Sequence, residues 1–227
     1  MPKRKSAPAK HAAPAANNNK KSKPVLVRPQ IVLAHHSGHY PAGGKHPVVQ
    51  AWARALASVG NVHDGLVFPK PFNMMPRLVD TLAKAISAAA GPGHKRPVIV
   101  VGIGMGARVA VHLLSGVSGD DKKPMPDVPS SVTASVKACV CIDYPLLRVG
   151  TREVRAAPLL ALPAGAAPLL FVRGTADKHM DTTKLPLKRI KPNVDMFAVE
   201  GKSATLTPND LAAAVARIQT TCMNTSM

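Results

Sequence analysis

The segment VIVVGIGMGARVA, residues 98–110, joins an apolar, β-branched run to closely spaced glycines and then to helix-forming residues. The run is short enough for a buried strand, and the glycines mark a tight turn into a helix. Two kinds of site are built on a strand, a glycine turn and a helix N-terminus. One is the phosphate-binding turn of a dinucleotide site; the other is the elbow that presents a catalytic serine.

The dinucleotide reading uses Gly102, Gly104 and Ala107 as G-x-G-x-x-A. It also needs an acidic residue about 20 positions on, at the end of the next strand, to hold a ribose. Asp120 and Asp121 fall in the polar stretch SGDDKKPMPDVPSS (118–131), and Asp143 comes too late. The turn is also third or fourth in the strand series rather than first. The elbow reading takes Gly102-Ile-Gly104-Met-Gly106 as G-x-S-x-G with glycine in place of serine. Small flanking residues let strand and helix approach, and the central residue adopts a strained conformation that glycine tolerates. The turn can therefore persist without its serine.

Outward from this element, strands and helices alternate. Strands are predicted in VLVRPQIVLAHH (25–36), DGLVFPKPF (64–72), VKACVCIDYPLL (136–147), APLLFVRGTADKH (167–179) and VDMFAVEGKS (194–203). Helical spacing covers VVQAWARALASV (48–59) and MPRLVDTLAKAISAAA (75–90). A last helix is expected over 207–222, with Thr207 as N-cap and Pro208 in its first turn. The alternation predicts an α/β domain of three layers around a mainly parallel sheet of six to seven strands. No run of about 18 apolar residues is present, so a membrane span is not expected. Met1-Pro-Lys-Arg-Lys5 lacks a following apolar segment, which argues against a secretory signal.

Five segments, in order from about residue 25 to the end, resemble a small family of α/β-hydrolase-fold proteins. They are IVLAHHSGHY, LVFPKPF, VIVVGIGMGARVA, IDYPLLRVG and PLLFVRGTADKH. That family includes a testis-expressed protein and a subunit of the nuclear NSL histone-acetyltransferase complex, and it is distantly similar to dienelactone hydrolases. The resemblance implies an α/β-hydrolase fold without a cap domain, spanning residues 25–222. Carried onto this chain, the nucleophile position is Gly104 and the acid position Asp177. Lys202 or Ser203 stands where the histidine is expected, and no histidine follows His179. The oxyanion donors would be the backbone amides of Met105 and of the His36 region. Glycine has no nucleophile, and a lysine ammonium is no base at neutral pH unless strongly desolvated. Losing the serine of such a triad lowers turnover by about 10⁶, or roughly 8 kcal/mol of barrier. A catalytically inactive binding or scaffold subunit is therefore the expected function. An active esterase-like hydrolase using another nucleophile, such as Ser37 or Ser203, is the rival.

The net charge of the 227-residue chain is +18, and no acidic residue precedes Asp64. Residues 1–24 form a predicted flexible arm, too polar to bury a core. Lys3, Arg4, Lys5, Lys20, Lys21 and Lys23 sit there in short basic runs of the nuclear-import type, suited to neutralising phosphates. A nuclear location, with mitochondrial or cytoplasmic as alternatives, protein partners and a possible nucleic-acid contact follow as expectations. Lys184, Lys188, Arg189 and Lys191 could extend that anionic-partner surface. Residues 223–227 are assigned to a C-terminal tail. His35, His36, His39 and His46 crowd one loop without carboxylate or thiol company, so no metal is expected, and no cofactor either. Cys139 and Cys141 alternate on one strand face and are expected to be core residues.

Overall fold

The computed structural model describes residues 28–35, 43–70, 74–117, 124–148, 153–176, 194–201 and 207–223. Six strands form one sheet: β1 (Gln30–His35), β2 (Asn61–His63), β3 (Val98–Ile103), β4 (Val136–Ile142), β5 (Leu169–Gly174) and β6 (Val194–Val199). Their order is β2-β1-β3-β4-β5-β6, and every pairing is parallel. The helices are α1 (Pro47–Leu56), α2 (Met75–Ala90), α3 (Met105–Ser115), α4 (Ser130–Ser135), α5 (Ala157–Leu160) and α6 (Pro208–Met223).

Strand alternation sorts the central side chains into two cores. Val98 and Val100 of β3, with Val32, Cys139, Cys141 and Phe171, pack under α2 and α3. Ile99, Val101 and Ile103, with Ile31, Leu33 and Val140, pack under α1 and α6, where Trp52, Leu56 and Ile218 close the layer. Each such aliphatic side chain, taken fully out of water, contributes about 1.5–3 kcal/mol. Because β1, β3 and β4 are covered on both faces, they are continuous apolar runs in sequence. The short edge strand β2 is not, and its burial is only partial.

Three expectations need correction. The strand assigned to 64–72 lies earlier, at Asn61–His63; the following residues to Lys70 carry no strand, although Phe68 is buried. Pro69 denies that segment a ladder donor. The stretch 118–131 is not wholly a loop, since Ser130 opens α4. The strand expected over 25–36 is shorter among the described residues, with Arg28 and Pro29 outside it. Thr207 does cap α6: its hydroxyl accepts from the Asp210 amide at 3.2 Å, and the Asp210 carboxylate accepts from the Thr207 amide at 3.2 Å. This reciprocal arrangement satisfies two donors that the helix start would otherwise strand.

Candidate functional site

In a parallel sheet all strand C-termini share one edge, so every loop that could carry chemistry converges there. Gly104 sits at the apex between β3 and α3, with φ +57° and ψ −114°. Its amide donates to the Ile142 carbonyl at 2.8 Å, which ties the turn to β4. Its carbonyl accepts from the Ala107 and Arg108 amides and starts the helix.

The three glycines of the turn do different things. A Cβ on Gly102 would lie 2.3 Å from the backbone of Ala107, and one on Gly106 would lie 2.2 Å from the Ala34 carbonyl oxygen. These two are small because helix and strands touch there. A Cβ on Gly104 would meet no described residue within 4 Å. Among the described residues the apex is unpacked, in the strained backbone region where a side chain is presented. Met105 opens α3, so its amide belongs to the first turn, whose donors have no partner within the helix.

Of the sequence-predicted residues, Gly104 and Met105 are brought together at this edge. His36, Asp177, Lys202, Ser37 and Ser203 lie outside the described residues, as do Lys3, Arg4, Lys5, Lys20, Lys21 and Lys23. His35 corrects its expected place in a polar loop. It is the last residue of β1, paired in register with Ile103, and fully buried. Burial pushes its pKa below the ordinary histidine value, with Asp64 opposing the shift and His46 adding to it. The imidazole is accordingly neutral at pH 7. Among the described residues no group of three or more His, Cys, Asp or Glu side chains could hold a metal.

Sequence reasoning used Tyr144 only as a family marker. It is fully buried just past β4, and its ring meets Phe171 edge-on at 5.5 Å. Its hydroxyl has no hydrogen-bond partner among the described residues, and burial drives its pKa upward. The only signal for this was a tyrosine ending an apolar run. Cys139 and Cys141 are buried core residues as expected, their Sγ atoms 3.8 Å apart. Burial raises the Cys141 pKa, which keeps that sulfur a thiol and a poor nucleophile. The described serines lie at residues 58, 87, 115, 130, 131 and 135, on helices or near strand starts, and none follows a strand C-terminus.

A strand–turn–helix of this form at the centre of a parallel sheet is the elbow of one architecture. The family model described as an alpha/beta hydrolase domain matches residues 27–219. The chain belongs to the α/β-hydrolase family. Among solved α/β-hydrolase structures, a dienelactone hydrolase of Anabaena variabilis aligns over 88% of this chain and 87% of its own, with a TM-score of 0.63 and 16% identity. An esterase of Pyrococcus furiosus aligns over 88% of this chain and 82% of its own, with a TM-score of 0.63 and 14% identity. Est1E of Butyrivibrio proteoclasticus covers 88% of this chain and 89% of its own, with a TM-score of 0.56 at 9% identity. At such identities the likeness is one of fold. No curated protein matches the sequence significantly.

Proposed function

We propose that this α/β-hydrolase domain is not a serine hydrolase and works by binding, as a subunit of a larger assembly that contacts nucleic acid. The observation that carries the reading is Gly104 at the apex of the elbow, in the backbone conformation of a presented side chain and with none to present. The strained turn, the close glycines on either side and the amide-bearing helix start persist around it. Losing the hydroxyl removes covalent catalysis, which backbone amides cannot replace. In sequence, Lys202 at the expected histidine position supports the same reading. Partners and setting rest on the resemblance to the NSL-complex family and on the basic arm, which fits a nuclear location and phosphate contacts.

The test is activity-based labelling. The purified chain should show no fluorophosphonate adduct by intact mass, and should hydrolyse activated esters no faster than a heat-unfolded control. Stoichiometric labelling of one serine would establish the rival, a hydrolase with a displaced nucleophile.

A further inference from the structure

The sheet has a second edge, where the strands begin, and among the described residues its charge differs from that of the elbow edge. Helices that return antiparallel to the strands end there, so their carbonyl termini and the strand entrances meet. Arg28 stands two residues ahead of β1, Arg96 two ahead of β3, and Lys137 is the second residue of β4. β1, β3 and β4 are consecutive in the sheet, and Gln30 is in register with Val98 and Val98 with Val136. Three cations thus enter on three adjacent strands spaced about 4.8 Å apart. Lys95 adjoins Arg96, and Arg54 lies in the last turn of α1. All five side chains are exposed.

Two of the three cations bond a helix C-terminal carbonyl, and the third lies beside a helix C-cap. The Arg28 guanidinium donates to the Ala57 carbonyl at the end of α1. The Lys137 ammonium donates to the Ala134 carbonyl in the last turn of α4 at 2.9 Å. The Arg96 guanidinium lies against Gly91, the C-cap of α2. Capping alone would explain their positions. It does not consume their charge, because a helix C-terminus offers only about half an elementary charge, and less in so short a helix as α4. Among the described acids, Asp195 at the start of β6 is bonded to Arg217 at 2.7 Å, and Asp127 lies in the segment before α4. At the elbow edge, by contrast, Asp64, Asp143, Glu153, Glu200 and Asp210 stand among the basic residues.

We infer that this strand-entrance edge is a nucleic-acid docking surface of the folded domain, with Arg28, Lys95, Arg96 and Lys137 contacting successive backbone phosphates. The inference extends the nucleic-acid part of the proposed function and needs nothing from the elbow. The entrances of three adjacent strands together span about 10 Å, which covers a few phosphates of one nucleic-acid strand at about 3.4 Å of axial rise each. A bilayer surface fits less well. Among the described residues the exposed large apolar side chains are Val67, Val154 and Leu160, and the first two follow strand C-termini at the far edge. No exposed described residue is aromatic, so contacts go to phosphates and binding is independent of base sequence.

The test uses the full chain, a fluorescein-labelled 30-base-pair DNA duplex and anisotropy titrations from 50 to 300 mM salt. Lys95→Gln, Arg96→Gln and Lys137→Gln combined should lower the slope of log affinity against log salt by about 2–3. Lys45→Gln, Lys70→Gln and Arg77→Gln, which remove equal charge at the elbow edge, should change it by less than about 1. Deleting residues 1–24 should leave measurable binding that the edge triple then abolishes. An unchanged slope in the edge triple, with binding lost on arm deletion, would overturn the docking edge and leave the arm as the contact. Equal losses in both triples would overturn it as a mere net-charge effect. Binding to phosphatidylserine vesicles with none to DNA would overturn both the edge and the nucleic-acid reading.

Discussion

The elbow edge and the strand-entrance edge of one sheet have opposite characters. At the elbow, backbone geometry is specific and the apex residue carries no side chain: Gly102 and Gly106 are fixed by contact, and a Cβ on Gly104 would meet no described residue within 4 Å. At the entrance edge, the backbone is ordinary and the side chains are distinctive, with cations placed on helix ends. On the proposed reading, the fold keeps the shape of a reactive site for packing reasons without its hydroxyl. On that reading, shape at one edge is a weak guide to activity, and charge at the other is proposed as a separate source of function.

The sharpest way to break this comparison is within the turn. Gly106→Ala puts a Cβ into the Ala34 carbonyl, a backbone atom that cannot step aside, and should destabilise by more than about 3 kcal/mol in urea unfolding. Gly104→Ala meets no described residue and should cost only the strain of its positive φ, about 1–3 kcal/mol. If the apex substitution proves the more damaging, Gly104 is packed rather than presented. At the start of α6, Thr207→Ala removes the reciprocal cap and should cost about 1 kcal/mol.

The smallest effect is one of pH. Burial lowers the folded-state pKa of His35, so below about pH 6.5 the unfolded chain takes up a proton that the folded chain refuses. His35 therefore favours folding above that pH, and the contribution is lost as pH falls through its lowered value. Urea midpoints of the wild type should drop between pH 7 and pH 5, and those of His35→Gln should drop less. Equal slopes would show that His35 protonates alike in both states.

Much of the fold was legible because the central strands are buried on both faces and so are continuous apolar runs. Residues 98–103 and 75–90 were found on pattern alone. The edges were harder. Asn61–His63 is three residues of mixed polarity whose pairing with β1 comes from the sheet, and α4 is a Ser/Thr-rich turn with weak helix propensity. In the site, the glycine spacing identified the elbow, because glycine at a contact leaves a mark in sequence. The burial of His35 and Tyr144 left none, since it depends on which neighbours the sheet brings over them. The cation row was equally hidden: Arg28, Arg96 and Lys137 are far apart in the chain and become neighbours only through strand order.

The direct measurement is thiol reactivity at the apex. Gly104→Cys should fold, react with iodoacetamide in the native state at pH 7, and do so faster than a free cysteine of ordinary pKa, because the start of α3 stabilises a thiolate. The native thiols of Cys139 and Cys141 should stay unmodified in the same sample. An introduced thiol as unreactive as those two, in a folded protein, would mean that the apex is sealed and that Gly104 does not occupy the place of a nucleophile.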